Sequence, residues 1–425
     1  MLFLATLGAA QGSARNTPRA PTPHNERTTR ALAGAYESAE HWALRAIVLL
    51  TLDAHWHPVG AECVLGALRG KDKRLQVFAI EALLRTRDDV LRSVAARELV
   101  SELVSQQANT KNPYARQQIQ EVLARLALTP EAKERSASEW QSLWSRVQPT
   151  YAPQAWPEIE SEARASGPGT VTQTIVERAF DLSHAGLDVA ICIDCTGSMQ
   201  ATIDTARAAL DDLIALLRGI SPKLRLGVVQ YRDFGDMREG ARIEMPLTTK
   251  VEEAREQLGH LVAGGGGDVP ERVEKGLELS LSKEMGWLRT ANKLVVVIGD
   301  APPHPEALDA CLALAKLAHE QPLAVGGKPG APLTGPKKDV KLPTYVISTL
   351  GVGANPDTAR TFKAIAEAGG GAYGRIDVRN KGADAEASRR ILEHILVLSF
   401  GARWEREMKD FVEIFFRYRR EGCFK

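Results

Sequence analysis

Between Ala31 and about Val147 apolar residues recur three and four positions apart, the spacing of helices that bury one stripe. The run Ala43-Leu-Arg-Ala-Ile-Val-Leu-Leu50 returns as Phe78-Ala-Ile-Glu-Ala-Leu-Leu84 and, more weakly, within Gln118–Leu126. A return of roughly 36–40 residues is the period of helix pairs stacked into a solenoid. A plain helical bundle satisfies the same pattern. Prolines between Gln148 and Pro157, then Ser166-Gly-Pro-Gly169, break it. After Gly186 short β-branched runs alternate with amphipathic stretches. They are Leu187–Ile193, Ala201–Leu217, Leu224–Tyr231, Val269–Leu281, Lys293–Ile298, Glu306–Leu317, Thr344–Leu350, Asp357–Ala368 and Ala372–Ile376. Strands alternating with helices predict an α/β fold, a doubly wound, mostly parallel sheet, preceded by an all-α helical-repeat domain.

The predicted division is therefore 1–30 as an apolar start and linker, 31–148 as the helical domain and 149–185 as a joint. The α/β domain follows over 186–400, and a helical tail over 401–425. The segment His319–Leu342, rich in Gly, Pro and Lys, reads as an insertion before a strand. In the tail, Phe411, Val412, Ile414, Phe415 and Phe416 precede Arg417, Arg419 and Arg420. Docking of that stripe on its own domain is the expected fate, ahead of a membrane or partner contact.

Composition narrows the classes. Of 425 residues 44% are hydrophobic, and 54 Lys/Arg against 53 Asp/Glu leave a net charge of +1, so no bulk pull toward nucleic acid or anionic membrane follows. Five scattered cysteines do not make a disulfide framework. No apolar run is long enough for a membrane-spanning helix. Met1–Ala10 is apolar and ends in small residues, like the second half of a secretory signal, but lacks a basic start. Export to the periplasm or outside, and a merely greasy N-terminus on a cytoplasmic protein, both remain open.

The chemistry concentrates at strand ends. Leu187–Ile193 runs into Asp194-Cys-Thr196-Gly-Ser198-Met199, an acid and two hydroxyls on one turn before a long helix. In a doubly wound sheet ligands sit beyond the carboxyl ends of the strands, so Asp194, Thr196 and Ser198 share one crevice. That oxygen set suits a hard divalent cation, Mg²⁺ above all, with Ca²⁺ or Mn²⁺ as alternatives. Gly264-Gly-Gly-Gly267 then leads to Asp268, and a second apolar strand, Lys293–Ile298, ends at Gly299-Asp300. The plainer alternatives are a helix cap at Ser198, a flexible glycine connector and an ordinary strand-end acid at Asp300.

Asp-x-Thr-x-Ser, an acid on a glycine loop and a strand-terminal Asp, in that order, resemble the von Willebrand factor A fold and its metal-ion-dependent adhesion site. The resemblance covers roughly residues 186–400 and implies Asp194 and Ser198 as direct ligands, with Thr196 where many members have Ser. It implies Asp300 as a ligand through water or as a group that orients the direct ligands, and Asp268 where adhesive members usually place Thr. Together with Tyr231-Arg232-Asp233, these motifs look like the subgroup seen with α-kinases and bacterial multidomain proteins. The function it implies is non-enzymatic: a Mg²⁺-dependent protein-interaction or adhesion module that takes an acidic group of a partner protein, with no small-molecule substrate. An extra carboxylate at 268 would lower the net charge of the metal and weaken that capture.

Other signals are weaker. Cys192-x-x-Cys195 straddles a buried strand and the metal turn, a poor place for redox chemistry. His55-Trp-His57 lacks further ligands at metal spacing. Asp233-Phe-Gly spells a kinase tripeptide without the glycine loop or catalytic loop of a kinase, although Asp233 should lie on a strand beside the first. Helical repeats before such a domain also resemble the Ro (TROVE) RNA-binding layout, but residues 11–180 carry 21 Lys/Arg against 19 Asp/Glu, no footprint for RNA. With no Walker motif, a role beside an ATPase could only be that of an accessory subunit.

Overall fold

A computed structural model describes residues 26–52, 56–128, 135–155, 175–233, 239–266, 269–321, 344–376, 385–401 and 404–424. The chain forms two compact units. One comprises 1–37, 48–71 and 76–171; the other comprises 38–47, 72–75 and 172–425. The signal-like start up to residue 25, His55 and most of the His319–Leu342 segment lie outside the described residues.

The N-terminal region is helical throughout its described length. Its helices are α1 (Glu26–Ser38), α2 (Trp42–Leu52), α3 (Ala61–Arg69), α4 (Lys73–Arg85), α5 (Asp88–Val94), α6 (Arg97–Asn109), α7 (Pro113–Arg125) and α8 (Ala137–Val147). The apolar runs read from the sequence fall on α2, α4 and α7. Local chemistry fixes several starts. Asn112 caps α7 by accepting from the Ala115 N–H, and Ser136 and Glu139 form a reciprocal capping box on α8. Within this unit α6 packs against α3, α7 and α8. His57 is a cap, its Nδ1 accepting from the Val59 N–H at 3.4 Å.

The second unit is built on a six-stranded sheet. In chain order come α9 (Ile175–Ala185), β1 (Leu187–Asp194), α10 (Gln200–Ile220), β2 (Leu224–Tyr231), β3 (Ala241–Thr248), α11 (Val251–His260), α12 (Val273–Ser280), β4 (Asn292–Gly299), α13 (Leu308–Glu320), β5 (Tyr345–Val352), α14 (Pro356–Ala368), β6 (Gly370–Ile376), α15 (Ala385–Phe400) and α16 (Glu405–Arg420). The strand order is β3-β2-β1-β4-β5-β6, parallel except for β3. β1 lies at the centre with all eight residues buried, as a strand covered on both faces must be. Ala190 and Cys192 face a core made with Val273 and Leu277 of α12, Cys311 and Ala315 of α13 and Phe362 of α14. Their alternates Val189, Ile191 and Ile193 face the opposite layer, where α15 packs along α10.

Two differences from the sequence reading stand out. Val269–Leu281 is helical only from Val273, because Glu271 donates its N–H to the Pro302 carbonyl and bridges Pro303 before the helix can begin. Residues 241–260, not assigned above, form β3 and α11. β3 is an antiparallel edge strand with exposed Arg242 and Pro246 and buried Met245 and Leu247. The tail docks on its own unit: Met408, Phe411, Val412, Ile414, Phe415 and Tyr418 are buried, and Trp42 stacks on Phe411 and Phe415 at 6.1 and 5.9 Å.

The core of this unit is poorly suited to alkali. Burial pushes the Cys192 and Cys311 thiols up to about 12 from an ordinary 9.0 and raises the Tyr231 and Tyr345 phenols well above their usual range. Groups raised in the folded state stabilise below their unfolded pKa and lose that contribution as pH rises through the folded one. Lys293 opposes them: burial lowers it to about 8, so above that pH it is neutral in the folded state and its burial costs less. Four groups outweigh one, and stability should fall beyond pH 9 by about 1.4 kcal/mol per thiol and pH unit. Urea midpoints at pH 7.5 and 10.5 check this; a midpoint that rises would refute it.

Candidate metal centre

Three strand ends and one loop converge on the candidate site. β1 delivers Asp194 into the interior with no solvent exposure, and the turn after it is a single 3₁₀ step, Gly197–Met199, that feeds α10. Asp194 Oδ1 accepts from the Thr196 N–H at 2.8 Å and from the Thr196 hydroxyl at 2.7 Å. Its other oxygen, Oδ2, is buried with no hydrogen-bond partner among the described residues. Ser198 is exposed and does not cap the helix: α10 starts from Met199 with no side-chain cap. The plain capping alternative for Ser198 is thus not what the chain does.

Asp300 follows β4 directly. It is half-buried, and its carbonyl is held by the Thr358 hydroxyl at 2.9 Å. Gly299 just before it has to be glycine, since a Cβ there would lie 2.3 Å from the Tyr231 hydroxyl and 3.4 Å from the Asp194 Cβ. Burial pushes the Asp194 carboxyl up to about 7. The two Thr196 donors and the Arg232 charge pull it down, and the Asp300 charge pushes it further up. Asp194, Thr196, Ser198 and Asp300 are thus brought to one sheet edge. Asp268 and Gly267 lie outside the described residues.

The described part of the glycine loop is fastened to this turn. The Gly264 N–H donates to the Cys195 carbonyl at 3.0 Å, and the Gly197 N–H donates to Gly265 at 3.1 Å. Arg232 donates to the carbonyls of Gly264 and Val262 at 3.1 and 2.7 Å, and the Ala263 N–H reaches Gln200 Oε1 at 3.1 Å. Gly266 takes φ +85°, and a Cβ on it would come within 3.1 Å of the Thr196 Cβ.

Of the groups that close the site from the sides, the sequence pointed to Asp233 beside the candidate metal position, through its neighbouring strand, and missed His304 and Glu271. Asp233, one residue beyond the β2–Arg232 corner, meets His304 from the loop after β4, Oδ1 to Nε2 at 2.8 Å. β2 and β4 flank β1, so this pair spans the end of the central strand. Glu271, 2% exposed, lies beside the same loop through its bridge to Pro303. Only the strand-neighbour argument for Asp233 could have hinted at the pair. Cys192 and Cys195 are buried and form no disulfide, the reverse of an exposed redox pair.

Among the described residues no three His, Cys, Asp or Glu side chains gather as a metal-binding group. The described donors are two carboxylates and two hydroxyls. They fit Mg²⁺ in two respects: all are hard oxygens, and the orphaned Asp194 Oδ2 leaves a buried acceptor that a cation would satisfy. Residues 188–376 match the family model of the von Willebrand factor type A domain. The chain carries a von Willebrand factor A domain. Two curated relatives align over parts of the chain of similar length. One is the alpha-protein kinase vwkA of Dictyostelium discoideum, 29% identical over 123 residues, 28% of this chain and 19% of that protein. The other is the putative ariadne-like RING finger protein R811 of Acanthamoeba polyphaga mimivirus, 26% identical over 122 residues, 29% of this chain and 12% of that protein. The chain thus spans less than a fifth of the length of either. Among solved structures, the conserved hypothetical protein BatB from Bacteroides thetaiotaomicron is 16% identical with a TM-score of 0.34, covering 49% of this chain and 97% of that one. Von Willebrand factor A domains are in general non-enzymatic interaction modules, and among the described residues no helix is long and apolar enough to cross a membrane.

Proposed function

We propose that this domain binds Mg²⁺ through Asp194, Thr196 and Ser198, with Asp300 acting through water and Asp268 as a further carboxylate. At an open coordination position it takes an acidic side chain of a partner protein. The observation that carries this reading is the buried, unpartnered Oδ2 of Asp194 on the same turn as the exposed hydroxyl of Ser198. A buried carboxylate oxygen without a donor is costly, and a cation is the partner that would offset the cost. The bound ion would supply one thing, a positive charge with a vacant site for an oxygen ligand. The chain's own residues hold the turn in shape: Thr196 orients Asp194, and Arg232 and Gln200 fasten the glycine loop against it.

Calorimetric titration of the full chain with MgCl₂ tests the site. One ion should bind. Ser198→Ala should weaken it at least tenfold, and Asp194→Asn, which keeps the shape and removes the charge, should abolish it. Capture of an acidic protein partner should disappear in EDTA. Unchanged Mg²⁺ affinity in both variants, or capture that survives EDTA, would sink the reading. Nothing in the relatives favours the RNA-binding or ATPase-accessory alternatives.

A further inference from the structure

A cavity of about 110 Å³ opens at the N-terminal ends of the strands, lined by the starts of β1, β4 and β5, by β6 and by the end of α15. β1 is eight residues long, which separates this cavity from the Asp194 turn by roughly 25 Å along the sheet. The metal reading therefore does not use it.

Its lining is chemically one-sided. Arg178 contributes a cation, Ser348 and Ser399 contribute hydroxyls, and no Asp or Glu is among the described lining residues. Leu187, Leu294, Val346 and Leu398 form an apolar wall, with Asn292 and Thr344 beside it. Arg178 is held in place from three sides. Its Nε reaches the Phe400 carbonyl at 3.4 Å, Nη1 reaches Asn292 Oδ1 at 3.0 Å and Nη2 reaches the Ser399 carbonyl at 3.1 Å. A guanidinium has five N–H donors, so three in use leave two. Lys293 lines the cavity beside it, but its ammonium turns to the other face of the sheet, over the Tyr345 ring, and donates to the carbonyls of Arg289 and Ala291. Burial lowers the Arg178 pKa, the Asp181 charge offsets part of that cost, and an anion in the cavity would offset more.

We infer that this cavity binds a small organic carboxylate of about four to six non-hydrogen atoms, its carboxylate on Arg178 and its apolar end against Leu294, Val346 and Leu398. A planar fork of N–H donors matches a carboxylate, and the apolar half of the lining selects against an all-polar ion such as phosphate.

The test titrates the full chain in EDTA, so that no metal site can take up the acid. The probes are isobutyrate, its neutral isostere isobutyramide, and inorganic phosphate. Isobutyrate should bind and raise the melting temperature, with isobutyramide and phosphate each at least tenfold weaker. Arg178→Gln should abolish binding. Because Arg178 also anchors the end of α15, Ala372→Met provides an independent check: it fills the cavity without touching the guanidinium and should also abolish binding. Equal affinity for the amide, tighter binding of phosphate, or isobutyrate binding that survives Ala372→Met would each overturn the assignment.

Discussion

A fragment cut to the family match, residues 188–376, should fail to fold cooperatively, whereas residues 26–425 should show a sharp unfolding transition. The match ends at Ile376, before α15 and α16, and begins after α9. Those helices bury Ile395, Leu396, Val397, Leu398 and Phe400, then Met408, Phe411, Val412, Ile414, Phe415 and Tyr418. At roughly 1.5–3 kcal/mol for each large side chain, that burial rivals the whole stability of an ordinary domain, about 5–15 kcal/mol. Without them the outer face of α10 meets water. Near-ultraviolet circular dichroism and dye binding separate the cases, and a fragment that melts cooperatively with native near-ultraviolet signal would disprove the expectation. Trp42→Ala in the full chain probes the same layer, because its ring stacks on Phe411 and Phe415 and lies under Gly219, where a Cβ would be 3.0 Å from the indole nitrogen. A loss of about 3–5 kcal/mol is expected, as for other large aromatic truncations.

Asp188→Ala should cost a similar amount, about 3–5 kcal/mol, by leaving a charge buried alone. Asp188 has no exposure, accepts from Arg225 Nε at 2.8 Å and from Arg225 Nη2, and also accepts the Leu288 N–H at 2.9 Å. Arg225 is itself tied to the Gly286 carbonyl at 3.0 Å, so its charge cannot swing out to water without breaking the loop before β4. The double change Asp188→Leu with Arg225→Met should recover most of the loss, since an apolar pair of similar volume carries no desolvation cost. Urea denaturation at pH 7.5 measures both. A single variant that loses under about 1 kcal/mol would show the pair to be dispensable.

The parallel core was legible because a strand buried on both faces leaves an unbroken apolar run, as in Leu187–Ile193 and Lys293–Ile298. β3 escaped because only one of its faces is buried. Arg242 and Glu244 interrupt the run, and the proline between Met245 and Leu247 looks like a breaker. The candidate turn was visible as Asp-x-Thr-x-Ser because its carboxylate and two hydroxyls sit within five residues. The Asp233–His304 pair was not, since 71 residues separate its members and only the strand order brings them together. The role of Trp42 was equally hidden: nothing in the local pattern of Ser38–Ile47 marks the one ring that stacks on a helix near the other terminus.

β3 also decides how the molecule behaves in a crowd. An open sheet offers its edge backbone to any other chain, and a long flat edge seeds edge-to-edge polymerisation. Here that edge is antiparallel, carries the exposed Pro246 with no N–H to give, and bears Arg242 and Glu244 paired at 2.6 Å. Its register against β2 slips twice, between Leu226 and Val228 and again at Val229, which bends the edge away from a straight template. A second copy approaching along β3 finds a missing donor, a charged pair and a kinked ladder. On this side the sheet therefore ends at β3.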